Sequence, residues 1–247
     1  MSAAAALETT CIGCGADLTL EMPEGDSVAA RWVRGMMRRS PKCDPCIAKA
    51  EAADAAAQQA VERTQREERC GLPVKLRGVG LGDLEIRNGQ QKALAALWEW
   101  AETKEAAGLM LTGPTGRGKT RLATAACWTR LSRSSCAYLS VARAMAKLGA
   151  SFSDESRAAA LHVLSGSGAV VLDDLDKSRP TDFGIEQIFA AVDAREQAGA
   201  PLLVTTNLTP SEIGKRYGEP LMSRLAGYCR VVKVEGPDWR VAPGGEA

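Results

Sequence analysis

The sequence predicts an α/β fold: a parallel five-stranded sheet flanked by helices, preceded by a small cysteine-bearing module and a helical linker. Three observations predict it. Five short apolar runs alternate with helix-forming stretches, as strands joined by crossover helices do. A glycine-rich octapeptide, Gly113-Pro114-Thr115-Gly116-Arg117-Gly118-Lys119-Thr120, stands between the first apolar run and a helix-forming run. Two C-x-x-C pairs lie near the amino terminus. The expected divisions are 1–47 for the cysteine module, 48–75 for the linker and 76–247 for the α/β domain.

The bulk numbers fit that plan. A chain of 247 residues holds one sizeable α/β domain plus something small. Hydrophobic residues make up 45% and charged residues 25%, an ordinary globular composition. The formal net charge is +1, so any contact with nucleic acid must come from a local patch. The longest apolar runs are too short to span a bilayer, and Met1 to Leu7 lacks the basic start and apolar core of a signal peptide. A cytoplasmic location without membrane contact is therefore expected. There the eight cysteines are thiols or metal ligands rather than disulfides.

Cys11-Ile12-Gly13-Cys14 and Cys43-Asp44-Pro45-Cys46 are separated by 28 residues. Each pair is expected on a turn, aiming two thiolates at one metal. Together Cys11, Cys14, Cys43 and Cys46 read as a structural zinc site that staples a segment too short for a large core. No βαβ pattern adjoins them, which argues against a redox pair. Between the pairs, Arg31, Arg34 and Arg38 recur at helical spacing, with Arg39 and Lys42 beside them. The first reading is a small solvated helix packing Trp32; the second is a basic, aromatic patch for nucleic acid or a protein.

Ala48 to Arg69 lacks Gly and Pro and is rich in Ala, Glu, Gln and Arg. It predicts one long polar helix, ended by Gly71 and Pro73. Leu72 to Arg87 reads as irregular. Asn88 is the expected cap of a helix from Gly89 to about Ala107, with Trp98 and Trp100 in the core.

Leu109 to Thr112 is the first strand, and a helix follows from Arg121 to Leu131. The octapeptide between them is the G-x-x-x-x-G-K-[ST] phosphate-binding pattern in the context it requires. Its glycines let the backbone wrap closely around a polyphosphate, with amides pointing inward at a helix start. Lys119 is expected to reach the β- and γ-phosphates, and Thr120 to give its hydroxyl to Mg²⁺. The implied ligand is ATP with Mg²⁺.

Cys136 to Val141 is the second strand and Ala142 to Leu148 a short helix; Asp154 to Leu164 is another. His162, the single histidine, reads as structural. Ala169 to Asp174 is the third strand. Its acidic end fits a Walker B element, with Asp173 on Mg²⁺ and Asp174 orienting and deprotonating the attacking water. Asp176 and Lys177 have no assigned task. Thr181 to Gly199 predicts a helix with Phe183, Ile185, Ile188, Phe189 and Val192 inward. Pro201 to Asn207 is the fourth strand, which sets Asn207 at the sheet edge shared with Lys119 and Asp173. A capped helix at Thr209-Pro210-Ser211-Glu212, a helix through Tyr217–Leu225 and a fifth strand at Cys229–Val234 complete the series. Cys70, Cys127, Cys136 and Cys229 read as small buried hydrophobes.

These elements together resemble an AAA+ ATPase of the DnaC/DnaI helicase-loader group, which includes the IstB transposition helpers. The resemblance covers roughly Leu76 to Ala247 and rests on GPTGRGKT, VVLDDL, LLVTTN, RYGEPLMSRL and PDWR in that order. It implies that Gly113 to Thr120 form Walker A, that Asp173 and Asp174 form Walker B, and that Asn207 is sensor 1. It also implies that Arg224 is an arginine finger supplied to a neighbouring subunit and that Arg240 is the sensor 2 arginine touching nucleotide. Aspartate replaces the glutamate that many AAA+ proteins carry at position 174. About two dozen residues follow Arg224, which implies a minimal lid. The resemblance further implies ATP hydrolysis, oligomerisation on ATP binding, and a replicative helicase and single-stranded DNA as partners. Arg143 and Lys147 are candidate DNA contacts. The alternative is a transposition helper that binds DNA and recruits a transposase; a small-molecule kinase would lack the sensor asparagine and the Ser-Arg-Leu arrangement.

Overall fold

A computed structural model of the chain describes residues 6–103, 108–148, 162–164, 166, 168–177 and 181–238, with the side chains at 38, 39, 147 and 148 outside that description. The predicted helix Asp154–Leu164, apart from its last three residues, thus lies outside it, as do Arg240 and the side chain of Lys147. The chain divides into two compact units, Met1–Glu62 and Arg63–Ala247.

The first unit opens with an antiparallel hairpin that the sequence reading did not anticipate. Strands β1 (Ala6–Thr10) and β2 (Asp17–Glu21) pair with Leu7 opposite Leu20 and Thr9 opposite Leu18. The first C-x-x-C pair occupies the turn between them. Helix α1 (Val28–Arg39) follows, its amino end capped by the Ser27 hydroxyl, which accepts from Ala30 N at 3.1 Å. Arg34 fastens α1 to the preceding loop by donating to the carbonyls of Pro23 and Gly25, both at 2.7 Å. Trp32 is not packed as the first reading expected: it is 67% exposed, with Val28 and Met36 exposed on the same face. Positions 28, 32 and 36 are successive turns of one stripe, whereas Ala30 and Val33 lie on the inner side.

Helix α2 (Asp44–Arg69) begins four residues before the predicted start and has no buried residue. The second C-x-x-C pair is therefore at a helix amino end instead of a free turn, because Pro45 fits the first turn, where its missing N–H is not needed.

In the second unit, two single 3₁₀ turns (Val74–Leu76 and Leu81–Asp83) lead to α3 (Gln91–Glu102). Asn88 does not cap α3. The cap is Gln90, whose side chain accepts from Arg87 N and donates to Arg117 O at 2.9 Å, so it is spent on the glycine-rich loop. The remaining elements are β3 (Gly108–Thr112), α4 (Lys119–Leu131), β4 (Cys136–Ser140), α5 (Val141–Leu148), β5 (Ala169–Asp173), α6 (Asp182–Gln197), β6 (Leu202–Thr205), α7 (Pro210–Tyr217), α8 (Glu219–Tyr228) and β7 (Cys229–Lys233).

The five strands β4-β5-β6-β3-β7 are hydrogen-bonded in that order and all parallel. Every residue of β3, β5 and β6 is buried, as the centre of a two-sided sheet requires. Alternation sends Leu109, Leu111, Val171 and Leu203 to one face, against Leu97, Trp100, Leu122 and Ala126 of α3 and α4. Met110, Val170, Leu172 and Val204 face the other way, against α6, α7 and α8. Trp100 and all four unpaired cysteines, Cys70, Cys127, Cys136 and Cys229, are buried as expected. Phe183, expected inward, is 46% exposed. It lies five residues before Ile188, some 140° round the helix from the face that Ile185, Ile188, Phe189 and Val192 share.

Arg195 is a buried charge that had no sequence signal. Arg195 has no exposed surface and donates to the carbonyls of Leu164 (3.0 Å), Gly166 (2.9 Å), Gly168 and Pro201 (2.8 Å). Burial lowers its pKa to about 10, so the guanidinium stays charged and ties down the approaches to β5 and β6.

Candidate functional site

The site is built at the carboxyl edge of the sheet, where β3, β5 and β6 end. The loop leaving β3 uses left-handed backbone at Gly113 (φ 136°), Gly116 (φ 82°) and Gly118 (φ 81°). A Cβ at Gly113 would strike the carbonyl of Val234, and one at Gly116 would strike the carboxylate of Asp238. Glycine is thus required at Gly113 by both conformation and room, and at Gly116 by conformation. Gly118 is the amino cap of α4, so the loop's amides and the start of the helix dipole meet at one place.

Lys119 is the first residue of α4 and is 6% exposed. Its ammonium donates to Gly113 O (2.7 Å), Pro114 O (2.9 Å) and Asn207 Oδ1 (2.6 Å). Burial lowers its pKa, and the carboxylates of Asp176, Asp174 and Asp173 oppose that effect.

Asp173 ends β5 and is 2% exposed. Its Oδ2 accepts from Tyr138 Oη (2.7 Å) and its Oδ1 from Thr205 Oγ1 (2.6 Å). The Thr120 hydroxyl lies near enough to help hold its pKa down. Burial raises its pKa, while the bonds from Thr205 and Tyr138 pull it back. Asp174 is the single non-glycine residue with positive φ (58°) among the described residues. Its amide donates to Thr205 Oγ1 at 2.9 Å, and its Oδ2 pairs with Lys177 Nζ at 2.6 Å. A side-chained residue resists that backbone conformation, and such strain gathers at functional positions.

Asn207 is fixed from below. Asp176 accepts from Asn207 N (2.8 Å) and Nδ2 (2.7 Å), which turns Oδ1 toward Lys119. Burial raises the Asp176 pKa, but the Asn207 amides outweigh it and the net shift is downward. The cleft over these groups holds about 380 Å³ and is lined by Thr115, Gly116, Lys119, Thr120, Asp174 and Asn207, among others. That volume suits a small-molecule ligand, and the Lys119 and Lys177 ammoniums, the Thr120 hydroxyl, the Asp174 carboxylate and the helix-end amides suit a metal-bound polyphosphate.

The structure thus brings Lys119, Thr120, Asp173, Asp174 and Asn207 together. Arg224 is placed elsewhere. It sits on α8, pairs with Asp193 and Glu196 of α6 at 2.8 Å each, and is not among the residues lining the cleft. Tyr138, Thr205 and Asp176 are contacts the sequence reading missed. Asp176 and Thr205 flank the motifs; Tyr138 is 35 residues before Asp173, and no spacing rule joins them.

A family model described as IstB-like ATP binding protein matches residues 53–246. The chain belongs to the IstB-like ATP-binding family. This IstB-like chain is 33% identical over 137 residues to the uncharacterized protein YqaM of Bacillus subtilis, covering 52% of the chain and 43% of that protein. It is 25% identical over 153 residues to a protein of Mycobacterium tuberculosis described as ATP-binding in an insertion sequence, covering 60% of each. It therefore spans about half the length of these relatives. Among solved structures it is similar to DnaI (TM-score 0.61, 20% identity, 71% of this chain and all of that one) and to the DnaC helicase loader (0.57, 20%, 66% and all). A DnaA replication initiator bound to AMPPCP and single-stranded DNA matches with TM-score 0.59 and 17% identity, over 67% of this chain and 51% of that one. The fold of the IstB-like domain is thus that of AAA+ P-loop proteins.

The family match begins after a second cluster in the first unit. The sulfurs of Cys11, Cys14, Cys43 and Cys46 all lie within 4.8 Å of one another, with Cys14 and Cys43 at 3.6 Å. Zn–S bonds of about 2.3 Å in a tetrahedron put sulfurs about 3.8 Å apart. Cys11 Sγ also accepts from the amides of Gly13 and Cys43 at 3.3 Å each. The Cys43 amide, then that of Gly13, against burial, bring the Cys11 thiol down to about 6. Crowding by Cys43, Cys11 and Cys14 pushes Cys46 up to about 12. Four cysteine sulfurs at this spacing could hold a metal ion, and the donor set suits zinc. No helix among the described residues is long and apolar enough to cross a membrane.

Proposed function

We propose that this chain is an ATPase that works as a helicase loader, assembling on ATP to deliver a replicative helicase to single-stranded DNA. The carrying observation is the cleft at the sheet edge, lined by Lys119, Thr120, Asp174 and Asn207, with Lys119 bonded to Asn207. The four-cysteine unit ahead of the family match is compatible with the loader reading, in which it offers a separate surface for the helicase.

In this reading Lys119 trades its carbonyl and Asn207 contacts for the β- and γ-phosphates of ATP. Thr120 and Asp173 hold Mg²⁺, which supplies charge neutralisation to the phosphates. Asn207, held by Asp176, orients the attacking water. Asp174 accepts that water's proton once its ion pair with Lys177 opens. Arg224 leaves Asp193 and Glu196 to face the γ-phosphate of a neighbouring copy, and Arg240 takes the sensor 2 role toward the nucleotide.

The second reading is a transposition helper, favoured by the insertion-sequence relative. One experiment separates them. The purified chain is mixed with the hexameric replicative helicase of its source, with and without ATP, and imaged by cryo-EM. A complex that places the helicase on single-stranded DNA is expected. No complex in either condition, with ATP-dependent coating of duplex DNA instead, would overturn the loader reading in favour of the helper.

A further inference from the structure

We infer that Tyr138 is a positioning residue of the nucleotide site: its hydroxyl holds the Asp173 carboxylate in line for a metal ion, and the strap Cys70–Leu72 holds Tyr138. This rests on the proposed Mg²⁺ role of Asp173.

The argument starts from register. On the parallel pair β4 and β5, Tyr138 stands opposite Val171 and Ser140 opposite Asp173. Tyr138 and Asp173 are therefore diagonal neighbours on one face, a reach that suits a long aromatic side chain. On the other flank, Thr205 of β6 reaches Asp173 from the far side. Each carboxylate oxygen thus takes one protein hydroxyl, Tyr138 on Oδ2 and Thr205 on Oδ1. A carboxylate has roughly four lone-pair positions, so about two remain. They are left for Thr120 and for a cation beside it. Two clamps from opposite strands fix the torsion of the carboxylate, which a single hydroxyl would leave free to turn.

Tyr138 is itself anchored through its backbone. β4 is an edge strand, and its outer side is met by the segment that ends α2. Tyr138 N donates to Cys70 O at 2.6 Å. Gly71, at φ 76°, passes so close that a Cβ there would lie 2.7 Å from Tyr138 O. Cys70 and Leu72 are each 2% exposed, so the strap is seated in the core. The strap grips the backbone of one residue, and that residue's hydroxyl grips the carboxylate. A shift of the strap along β4 therefore moves Oδ2 of Asp173.

The test is a titration of the full chain with a fluorescent ATP analogue, in Mg²⁺ and in EDTA. In the parent chain, Mg²⁺ is expected to tighten binding, and Asp173→Asn to remove that gain. Tyr138→Phe keeps the ring and loses one hydrogen bond to a charged group, so the gain should fall about tenfold. Affinity in EDTA should stay within about twofold, since an intact loop suffices for it. Gly71→Ala should lower the Mg²⁺ gain in the same direction. An unchanged gain in Tyr138→Phe, while Asp173→Asn loses it, overturns the inference and leaves the Mg²⁺ role standing. A full gain in Asp173→Asn overturns the Mg²⁺ role itself. Loss of EDTA affinity in Tyr138→Phe makes the residue structural and also overturns the inference. An unchanged gain in Gly71→Ala removes the strap from it.

Discussion

Lys119 Nζ and Asn207 Oδ1 are 2.6 Å apart, so the first residue of α4 is hydrogen-bonded to the residue just beyond β6. An ammonium has three donors, and Gly113 O and Pro114 O take the other two. All three partners are neutral oxygens. A phosphate oxygen, carrying charge, makes a stronger partner than any of them.

Lys119→Ala should therefore weaken ATP binding on the order of a hundredfold, the loss of two charge-assisted bonds. It should also abolish ATP-dependent assembly. Calorimetric titration and sedimentation measure the two effects, and an affinity equal to the parent's refutes the phosphate role of Lys119.

Asp176→Ala should release Asn207, which loses two acceptor contacts. We expect kcat to fall about tenfold, because a turned amide no longer orients the water, with little change in ATP affinity. A steady-state ATPase assay with kcat unaltered would remove Asp176 from the site. The same pair predicts a pH effect. The folded-state pKa of Asp176 lies below its ordinary value, so its stabilising contribution is full above the unfolded pKa of about 3.9. It is lost as pH falls through the folded value. The melting-temperature gap between parent and Asp176→Ala should be present at neutral pH and close in strong acid; a gap that widens on acidification would contradict the assignment.

Arg224→Ala should keep ATP binding and cut hydrolysis about 10³-fold. Its ion pairs with Asp193 and Glu196 are partly exposed, so stability should change by only about 1 kcal/mol or less. Mixing it with the Lys119→Ala chain should restore part of the activity, since each copy supplies what the other lacks. Absence of rescue across all mixing ratios would place Arg224 in its own chain's structure instead.

Zinc analysis should find about one ion per chain held by the four cysteines. Cys11→Ser should release it and unfold the 1–62 unit, seen as lost amide protection there, while ATP affinity survives. Native metal-free protein with that unit still protected would exclude a structural metal.

The motifs that point to an ATP site are legible because they are local. Lys119 and Thr120 follow from one octapeptide, Asp173 ends an apolar strand and Asn207 lies just beyond another. The capping box at Thr209 and Glu212 was legible for the same reason, and its hydroxyl and carboxylate bond as expected. Trp32 and Phe183 are apolar yet exposed. At each position the direction in which the helix faces its neighbours decides, and the residue type does not carry that direction.

The phosphate-loop pattern and the four clustered sulfurs are readable from the chain, since both depend on residue types at short spacing. Only the tertiary structure decided what steadies them. Tyr138 and Thr205 reach Asp173 from the two strands beside β5, and Asp176 turns Asn207. Strand order in a parallel sheet is set by packing on both faces, so neighbours across the sheet are far apart along the chain, and no pattern within one segment records them.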